Sequence, residues 1–481
     1  MHGNAKKKEK SPDGGPDQNV FDIQQGVAIG IFVKKQLSEA DASTSGSKVY
    51  HADLFGHREV VDRSRSDRKI VGGKYAFLRS NDLISTNWTE LKPQTPSYLF
   101  IPQDSRLADE YMKFWAVTEM FEVFASTVTT ARNDFSMAHD SQSLMKRIND
   151  LRDQSIPNDS LRERYLLKDV SYWNLATART ELGKITEVKE FVRPYCYRPF
   201  DFRYVYYHDA VCERLRKEVM SHMAADNLAF LTHRPQSPGE FTFAYCTRMI
   251  GDQCVAANKT AGGGNSFQFP LYVYPTEQER DMGSQNRYAN LSDRFTAGLN
   301  DWLGLRLVVD GKGDLENTVG PEDVFAYTYA VFHSPAYRSR YAEFLKIDFP
   351  RLPLTSNVEL FRELVRLGDE LVKTHLLERE LPEIAVYPID GDNVVEKPTH
   401  RDGRVWINSK QYFDNVPADV WKFHIGGYQV CHKWLKDRKG RTLTYDDLIH
   451  YKRIVAALAE TIRLMAEIDT AIASHGGFPL R

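Results

Sequence analysis

Residues 195–209 read YCYRPFDFRYVYYHD and residues 266–275 read SFQFPLYVYP, and these two runs frame the stretch that decides the fold. Both are dense in aromatic and β-branched residues, which favour strands. Between them, LAFLTHRP (228–235) and EFTFAYCTRMI (240–250) predict two more strands around the turn residues PQSPG. VCERLRKEVMSHM (211–223) has apolar residues at helical spacing and predicts a short helix. Sheet and helix are therefore expected to alternate here.

The C-terminal third predicts a helical layer. Residues 321–333 (PEDVFAYTYAVFH) begin with a proline and two acidic residues, which suit the first turn of a helix. Ser356 and Glu359 predict a capping box before a helix with one apolar stripe, formed by Leu360, Leu364, Leu367 and Leu371. The last predicted helix starts at Thr444. It needs a packing partner, within the chain or outside it, because apolar residues recur every three or four positions: Leu448, Tyr451, Val455, Leu458, Ile462 and Met465.

The N-terminal part carries two further patterns. Residues 21–35 (FDIQQGVAIGIFVKK) predict a strand over 27–33 that is buried on both faces. Such a strand needs a sheet to join, so residues 1–36 alone are expected to add little stability. Residues 108–126 (ADEYMKFWAVTEMFEVFAS) have apolar side chains at helical spacing and predict a helix.

Composition limits the class of protein. The chain has 481 residues with 42% hydrophobic content, which suffices for more than one packed domain. No run of about 18 apolar residues follows the lysine-rich start or occurs later, so neither a membrane span nor a secretory signal is predicted. The cytoplasm is the expected location, without a membrane partner. The net charge of −2 gives no evidence for nucleic-acid binding by the chain as a whole.

The cysteines and histidines do not predict a metal site. The five cysteines include no C-x-x-C pair, and no His-Glu-x-x-His spacing occurs. Reduced structural thiols are therefore expected.

A longer order of motifs identifies a family resemblance. YRPFDFRYVYY, VMSHM, THRP and PLYVY are followed by VFHSPAYRSRYAEFLKIDFPRLPL, FHIGGYQVCHKWLKDRKGR and YKRIVAALAETIRLMAEID. This order resembles the C-terminal specificity domain of type ISP restriction-modification enzymes. The resemblance implies an α/β (mixed α+β) target-recognition domain with a central sheet, a helical layer and a long C-terminal helix. It also implies recognition of double-stranded DNA.

The same resemblance implies a domain organisation. Residues 1–36 look like the terminal strand of a methyltransferase domain, 37–105 like a linker, and 106–481 like the specificity domain, with possible lobes at 106–310 and 320–481. No two prolines are adjacent in the chain, so the Pro-Pro turn that holds the target amino group of an adenine methyltransferase is absent.

Catalysis is therefore expected to lie outside this chain. We assign it no catalytic residue and no cofactor. S-adenosylmethionine, ATP and magnesium are expected only in complete enzymes of the family, and a separate methyltransferase or restriction polypeptide is a candidate partner.

Candidate DNA contacts come from side chains that suit base edges and from side chains that suit phosphates. Arginine can bond to guanine and asparagine to adenine in bidentate fashion, whereas lysine suits phosphate. Arg203 lies beside Asp201, so an internal ion pair is its alternative role. The lysine-rich KWLKDRKGR stretch (433–441) can neutralise phosphates or can simply end a helix in solvent. The candidates are Arg132, Asn133, Arg203, Arg214, Arg234, Arg248, Lys433, Lys436, Arg438 and Lys439.

Two alternatives to DNA recognition stay open at this point. The chain can be a remnant enzyme, either a methyltransferase with a cryptic cofactor site or a nuclease whose carboxylates the sequence does not group. It can also be a protein-interaction remnant that docks a partner through the last helix.

Overall fold

The structure is a computed structural model. It describes residues 2–4, 10–34, 47–62, 69–93, 98, 100–102, 104–234, 241–256, 265–281 and 286–480. The predicted PQSPG turn at 235–239 lies outside these ranges. The chain divides into two compact units, residues 1–108 and residues 109–481.

The first unit contains short antiparallel strand pairs, Val49–His51 with Thr89–Leu91 and Val60–Asp62 with Lys69–Gly72, and the helix Lys74–Ser80. Its most buried polar contact is an ion pair of 2.7 Å between Lys74 Nζ and Asp17 Oδ1.

The N-terminal predictions need correction. Residues 26–34 contain no strand, and Ile29, Phe32 and Val33 are exposed. The predicted strand over 27–33 is therefore wrong. Residues that precede it are packed instead, since the Tyr75 hydroxyl donates to the Val20 carbonyl at 2.7 Å. The Asp17–Lys74 ion pair ties part of residues 1–36 to the helix Lys74–Ser80, and the expectation that residues 1–36 add little stability stays a prediction.

The second unit mixes helices and strands. Its helices, together with the helix that enters it at the boundary, are Ser105–Tyr111, Val117–Met120, Asn133–Ser136, Ser141–Arg152, Asn158–Tyr165, Leu175–Gly183, Lys217–Met220, Glu277–Asp281, Asp293–Leu303, Pro321–His333, Pro335–Arg340, Ala342–Leu345, Val358–His375, Ala418–Lys422, Val430–Lys436 and Tyr445–Ser474, with 3-10 turns at Val188–Phe191 and Ser221–Ala224. Its strands are Trp115–Ala116, Ala125–Ser126, Met137–Ala138, Val192–Arg198, Asp201–Tyr206, Ala229–His233, Tyr245–Thr247, Ile250–Gly251, Ser266–Pro270, Tyr272–Val273, Tyr288–Ala289, Arg306–Leu307, Thr318–Val319, Arg351–Leu352, Thr399–Arg401, Arg404–Trp406, Tyr412–Phe413, His424–Ile425 and Tyr428–Gln429.

Two four-stranded sheets form the centre of this unit. The first, called sheet A, is antiparallel, with the order Tyr245–Thr247, Ala229–His233, Ser266–Pro270 and Ala125–Ser126. The second, called sheet B, has the order Ile250–Gly251, Val192–Arg198, Asp201–Tyr206 and Met137–Ala138, and its first pair is parallel. The predicted strands of the central stretch are confirmed.

The helical layer is also confirmed. The leucine stripe of Val358–His375 is buried, and the side chain of Asn357, rather than the predicted Ser356, caps this helix by accepting from Leu360 N at 3.0 Å. The C-terminal helix (Tyr445–Ser474) follows directly after Thr444, which agrees with the predicted start, and the Thr444 side chain caps it by accepting from Asp447 N. Tyr451, Val455 and Leu458 of that helix are buried in the hydrophobic core, so its packing partner lies within the chain.

Two predicted helices are interrupted by tertiary pairing. Within 108–126, Trp115–Ala116 pairs with Arg351–Leu352, and Ala125–Ser126 joins the edge of sheet A. Within 211–223, only the last part is helical, because Arg216 has a left-handed backbone with φ of 54°. Helical spacing of apolar residues did not reveal these breaks, since the same side chains are buried in either conformation.

The described part of the chain contains no helix that combines the length and the apolar character needed to cross a membrane.

Candidate nucleic-acid interface

The TVTTARNDF stretch, residues 127–135, is called here the cleft loop. Its backbone is held on two sides. Val128 N donates to Gly251 O at 3.0 Å, and Gln253 N donates back to Val128 O at 2.9 Å. On the other side, Thr129 and Arg214 exchange backbone hydrogen bonds of 3.0 Å. Because these bonds come from segments far away in sequence, the loop has a fixed position.

The cleft loop borders an open cleft of about 550 Å³. Its other walls are residues 165–172 and residues 252–254. Ala131 in the loop has φ of 57°, a conformation that costs energy for a residue other than glycine and persists where the surroundings enforce it. Polar side chains at the cleft come from all three walls: Thr129, Thr130, Arg132, Asn133, Asp134, Lys168, Tyr172, Asp252 and Gln253.

Arg132 and Asn133, the predicted base-contacting residues, both line this cleft and are half-buried. Arg132 Nε donates to Val211 O at 3.1 Å, and its guanidinium lies 4.3 Å from the ring centre of Trp173. Burial lowers the pKa of Arg132. The Asn133 side-chain oxygen accepts from the Thr130 hydroxyl. Each side chain is therefore oriented before any ligand arrives.

The base of the cleft is rigid because of Asp252. Its carboxylate accepts hydrogen bonds from Arg198 Nη1 at 2.7 Å, from the Tyr195 hydroxyl at 3.0 Å and from Cys254 N at 2.9 Å. Burial, followed by the charge of Asp252, raises the pKa of Tyr195 well above its usual value, so the phenol remains a donor. Gln253 is attached directly to this anchored residue.

Gln253 forms an amide pair with Asn265. Gln253 Nε2 donates to Asn265 Oδ1 at 2.7 Å, and both residues are half-buried. The backbone of Gln253 is bonded on both sides, to Val128 O and from Ser266 N at 2.9 Å each. Gln253 therefore lines the cleft with its backbone bonded to the cleft loop, and Asn265 holds its side chain.

The KWLKDRKGR stretch, residues 433–441, is called the lysine segment. It contains the end of the helix Val430–Lys436 and the turn that follows. Lys436 and Lys439 are exposed, and Lys433 is half-buried. These side chains can reach an anionic ligand in solvent.

Arg438 of the lysine segment points inward instead. Its Nη2 lies 2.9 Å from Asp201 Oδ1, and its guanidinium lies 3.5 Å from the ring centre of Trp434. Arg203 Nη2 contacts the other oxygen of Asp201 at 3.0 Å. Burial alone would raise the pKa of Asp201, but Arg438 and Arg203 hold it well below its usual range. Because Arg203 and Arg438 are committed to this buried carboxylate, the structure disfavours both as DNA contacts.

This ion-pair cluster connects the two predicted contact regions. Asp201 begins the strand Asp201–Tyr206, whose partner strand Met137–Ala138 comes two residues after the cleft loop. The lysine segment and the cleft loop are therefore both anchored to sheet B, although they are about 300 residues apart in sequence.

The remaining predicted arginines, Arg214, Arg234 and Arg248, are exposed and do not cluster around one site. Arg214 adjoins the cleft loop through its backbone bonds to Thr129. Arg234 Nε lies 2.9 Å from Asp348, and Arg248 Nε lies 2.6 Å from Glu378. The structure does not place Arg234 or Arg248 among the residues that line the cleft.

The described residues form neither a cluster of metal ligands nor a disulfide bond. Among the residues that the structure describes, no three His, Cys, Asp or Glu side chains converge on a possible metal position. The cysteines are all buried and none forms a disulfide bond: Cys196, Cys212, Cys246, Cys254 and Cys431.

The sequence did not single out Gln253, Asn265 or Asp252. Gln253 lies in the polar run GDQC between two strands and matches no motif. Its place beside the cleft loop depends on the contact between residues 128 and 251–253, which only the folded chain shows.

Three comparisons relate the chain to known proteins. The model of the Type ISP C-terminal specificity domain matches residues 119–467. A comparison with curated proteins gave no match. Solved structures do resemble the chain. A nuclease-deletion mutant of the Type ISP restriction-modification enzyme LlaGI, in complex with a DNA substrate mimic, has a TM-score of 0.55 and 18% identity, over 80% of this chain and 30% of that chain.

Two more DNA complexes are similar. The ATP-dependent Type ISP restriction-modification enzyme LlaBIII bound to DNA has a TM-score of 0.58 and 17% identity, over 79% of this chain and 25% of that chain. The DrdV–DNA complex has a TM-score of 0.58 and 17% identity, over 83% of this chain and 41% of that chain. At these identities the likeness shows a shared fold. The chain spans less than half the length of each of these proteins.

Proposed function

We propose, from the premise that the chain belongs to the family of Type ISP C-terminal specificity domains, that it recognises a specific sequence in double-stranded DNA. In this proposal it is the specificity part of a restriction-modification system with adenine-specific methylation. It acts in the cytoplasm and positions DNA for catalytic parts on another domain or on a separate polypeptide.

The observation that carries this proposal is the fixed position of the polar side chains of the cleft loop. Readout of base edges requires donors and acceptors whose positions are fixed before binding, because ordering them at that moment would cost affinity. Arg132 and Asn133 meet this requirement through Val211, Trp173 and Thr130. Sequence contacts are therefore assigned to the cleft.

Phosphate contacts are assigned to the lysine segment. Lys433, Lys436 and Lys439 carry point charges on flexible stems, which suit a ligand that presents the same phosphate at every step. Arg438 anchors this segment to Asp201 and does not itself contact the ligand.

Catalysis is not part of the proposed role. We assign no catalytic residue to the chain, and it binds DNA without a cofactor. S-adenosylmethionine, ATP and magnesium serve the catalytic parts that work with it.

The alternative of a docking remnant is less well supported. It requires the C-terminal helix to offer an apolar face to a partner, yet Tyr451, Leu458 and Leu464 of this helix are buried within the chain. In the part of the chain that the structure describes, no three His, Cys, Asp or Glu side chains converge on a metal position that a nuclease would use, which gives the remnant-enzyme alternative no support.

The test is binding of the purified chain to a pool of randomised duplexes, with selection over several rounds. We expect enrichment of one motif and a binding constant that falls steeply with salt, because phosphate contacts release counterions. Binding that is equal for all duplexes, or absent at low salt, would contradict the proposal.

A further inference from the structure

The Gln253–Asn265 hydrogen bond of 2.7 Å joins two half-buried side chains that are twelve residues apart in sequence. Gln253 lines the cleft, and Asn265 holds its side-chain amide from outside the lining. Within the described ranges, Gln253 Oε1 accepts no hydrogen bond. Among the described residues this oxygen and the second Nε2 hydrogen of Gln253 have no partner, and we assign these two groups to a ligand.

The backbone of this pair is unusually well fixed for a half-buried site. Gln253 N and O are both bonded to neighbouring strands or loops, and Asp252 before it is held by Arg198 and Tyr195. Asn265 directly precedes the strand Ser266–Pro270 of sheet A. A glutamine on such a support loses little further conformational freedom on binding, so little binding free energy is spent on ordering it.

The chemistry of the pair fits a purine edge. Adenine offers an amino donor and the N7 acceptor side by side in the major groove, and a side-chain amide can bond to both at once. Gln253 and Asn133 both line this cleft.

We propose that Gln253, oriented by Asn265, is a further specificity-determining residue that reads the edge of an adenine in the DNA target. This inference rests on the proposed function. It adds one position of the DNA target and names adenine as the base at that position. Asn265 acts as a positioning residue, because its oxygen fixes the Gln253 amide.

The experiment compares motifs selected from randomised duplexes by the full chain and by its variants. Gln253→Ala should lose the preference for adenine at one position, and its affinity for the wild-type motif should fall roughly 5- to 150-fold while binding to unrelated duplexes is unchanged. Gln253→Glu should shift the preference at that position toward cytosine, since a carboxylate accepts from the cytosine amino group. Asn265→Ala should weaken the same position less.

A matched control is Gln154→Ala, because Gln154 is an exposed glutamine that does not line the cleft. It should select the wild-type motif. Thermal melting of each variant shows that it is folded, and Gln253→Glu supplies a second reading if Gln253→Ala does not fold.

The outcomes separate this inference from the proposed function. If the wild-type chain enriches no motif, both are overturned. If it enriches a motif that Gln253→Ala and Gln253→Glu enrich unchanged, or if these variants lose affinity equally for all duplexes, the role of Gln253 is overturned and DNA recognition stands.

Discussion

The cleft loop and the lysine segment are anchored to the same sheet but hold their side chains in different ways. In the cleft loop the backbone is bonded to residues 251–253 and to Arg214, and the polar side chains are already oriented. In the lysine segment one residue, Arg438, is buried while Lys436 and Lys439 remain in solvent. Fixed groups suit base edges and mobile charges suit phosphates. In the proposed function, the cleft loop therefore supplies specificity and the lysine segment supplies affinity.

The largest expected effect comes from removing the carboxylate that ties the lysine segment to sheet B. Asp201→Asn removes the carboxylate partner of the buried Arg203 guanidinium and leaves Arg438 with Asp447, whose carboxylate lies 3.8 Å from Arg438 Nε. Loss of one partner of a buried pair costs about 3–5 kcal/mol. We expect the free energy of unfolding, measured by urea denaturation with circular dichroism, to fall by that amount.

Asp159→Asn is the control, because Asp159 is an exposed carboxylate that also contacts an arginine, Arg162. Its effect should stay within about 0.5 kcal/mol. Acid titration adds a second readout. The pKa of Asp201 is lowered in the folded state, so its contribution is present above about pH 3.9 and is lost as the pH falls below this value. An Asp201→Asn variant as stable as the wild type would show that this anchor is unimportant.

The next effect concerns affinity for all sequences. Replacing Lys433, Lys436 and Lys439 together by alanine should weaken binding to every duplex alike. The slope of the logarithm of the binding constant against the logarithm of salt concentration should become shallower by about one unit for each lost phosphate contact. Fluorescence anisotropy over a salt series measures both quantities.

The matched control replaces three other lysines, Lys184, Lys346 and Lys373, and so gives the same net charge. Its salt slope should equal that of the wild type. If the control and the test variant behave alike, the effect comes from overall charge and the lysine segment makes no contact.

A smaller and more selective effect is expected in the cleft loop. Asn133→Ala should cost about 1–3 kcal/mol on the preferred sequence and little on others, because it removes a base contact and no phosphate contact. Competition between the preferred and a scrambled duplex measures the difference. Equal losses on both duplexes would remove the distinction between the two regions.

The smallest effect on DNA binding should come from the first unit, which contains neither region. Asp17→Ala removes the partner of the buried Lys74 and should lower the stability of residues 1–108. DNA affinity should remain within twofold of the wild type in an anisotropy titration. A large loss of affinity would mean that the first unit takes part in binding.

Local patterns sufficed for the elements whose burial repeats along the chain. The stripe of Val358–His375 and the cap at Thr444 follow from side-chain spacing and from one hydroxyl, so the helical layer could be predicted. The interruption at Trp115–Ala116 could not, because it depends on pairing with Arg351, more than 200 residues away.

The candidate site divides in the same way. Arg132 and the lysines were identified by residue type, and the structure places them where a ligand can approach. Arg438 is an arginine like Arg132 and stands among these lysines in the sequence. Only folding brings Asp201 within reach of it. Gln253 has no local signal at all. Residue type indicates which groups can bind DNA, and tertiary contacts decide which of them are available.

The most direct test of sequence-specific recognition is the ratio of dissociation constants for the selected motif and for a scrambled duplex, measured over a salt series with the wild-type chain. We predict a ratio of about 10³ or more at moderate salt, as is typical of specific protein–DNA complexes, with both constants weakening as salt rises. A ratio of about one at every salt concentration would contradict the proposed recognition of a specific sequence.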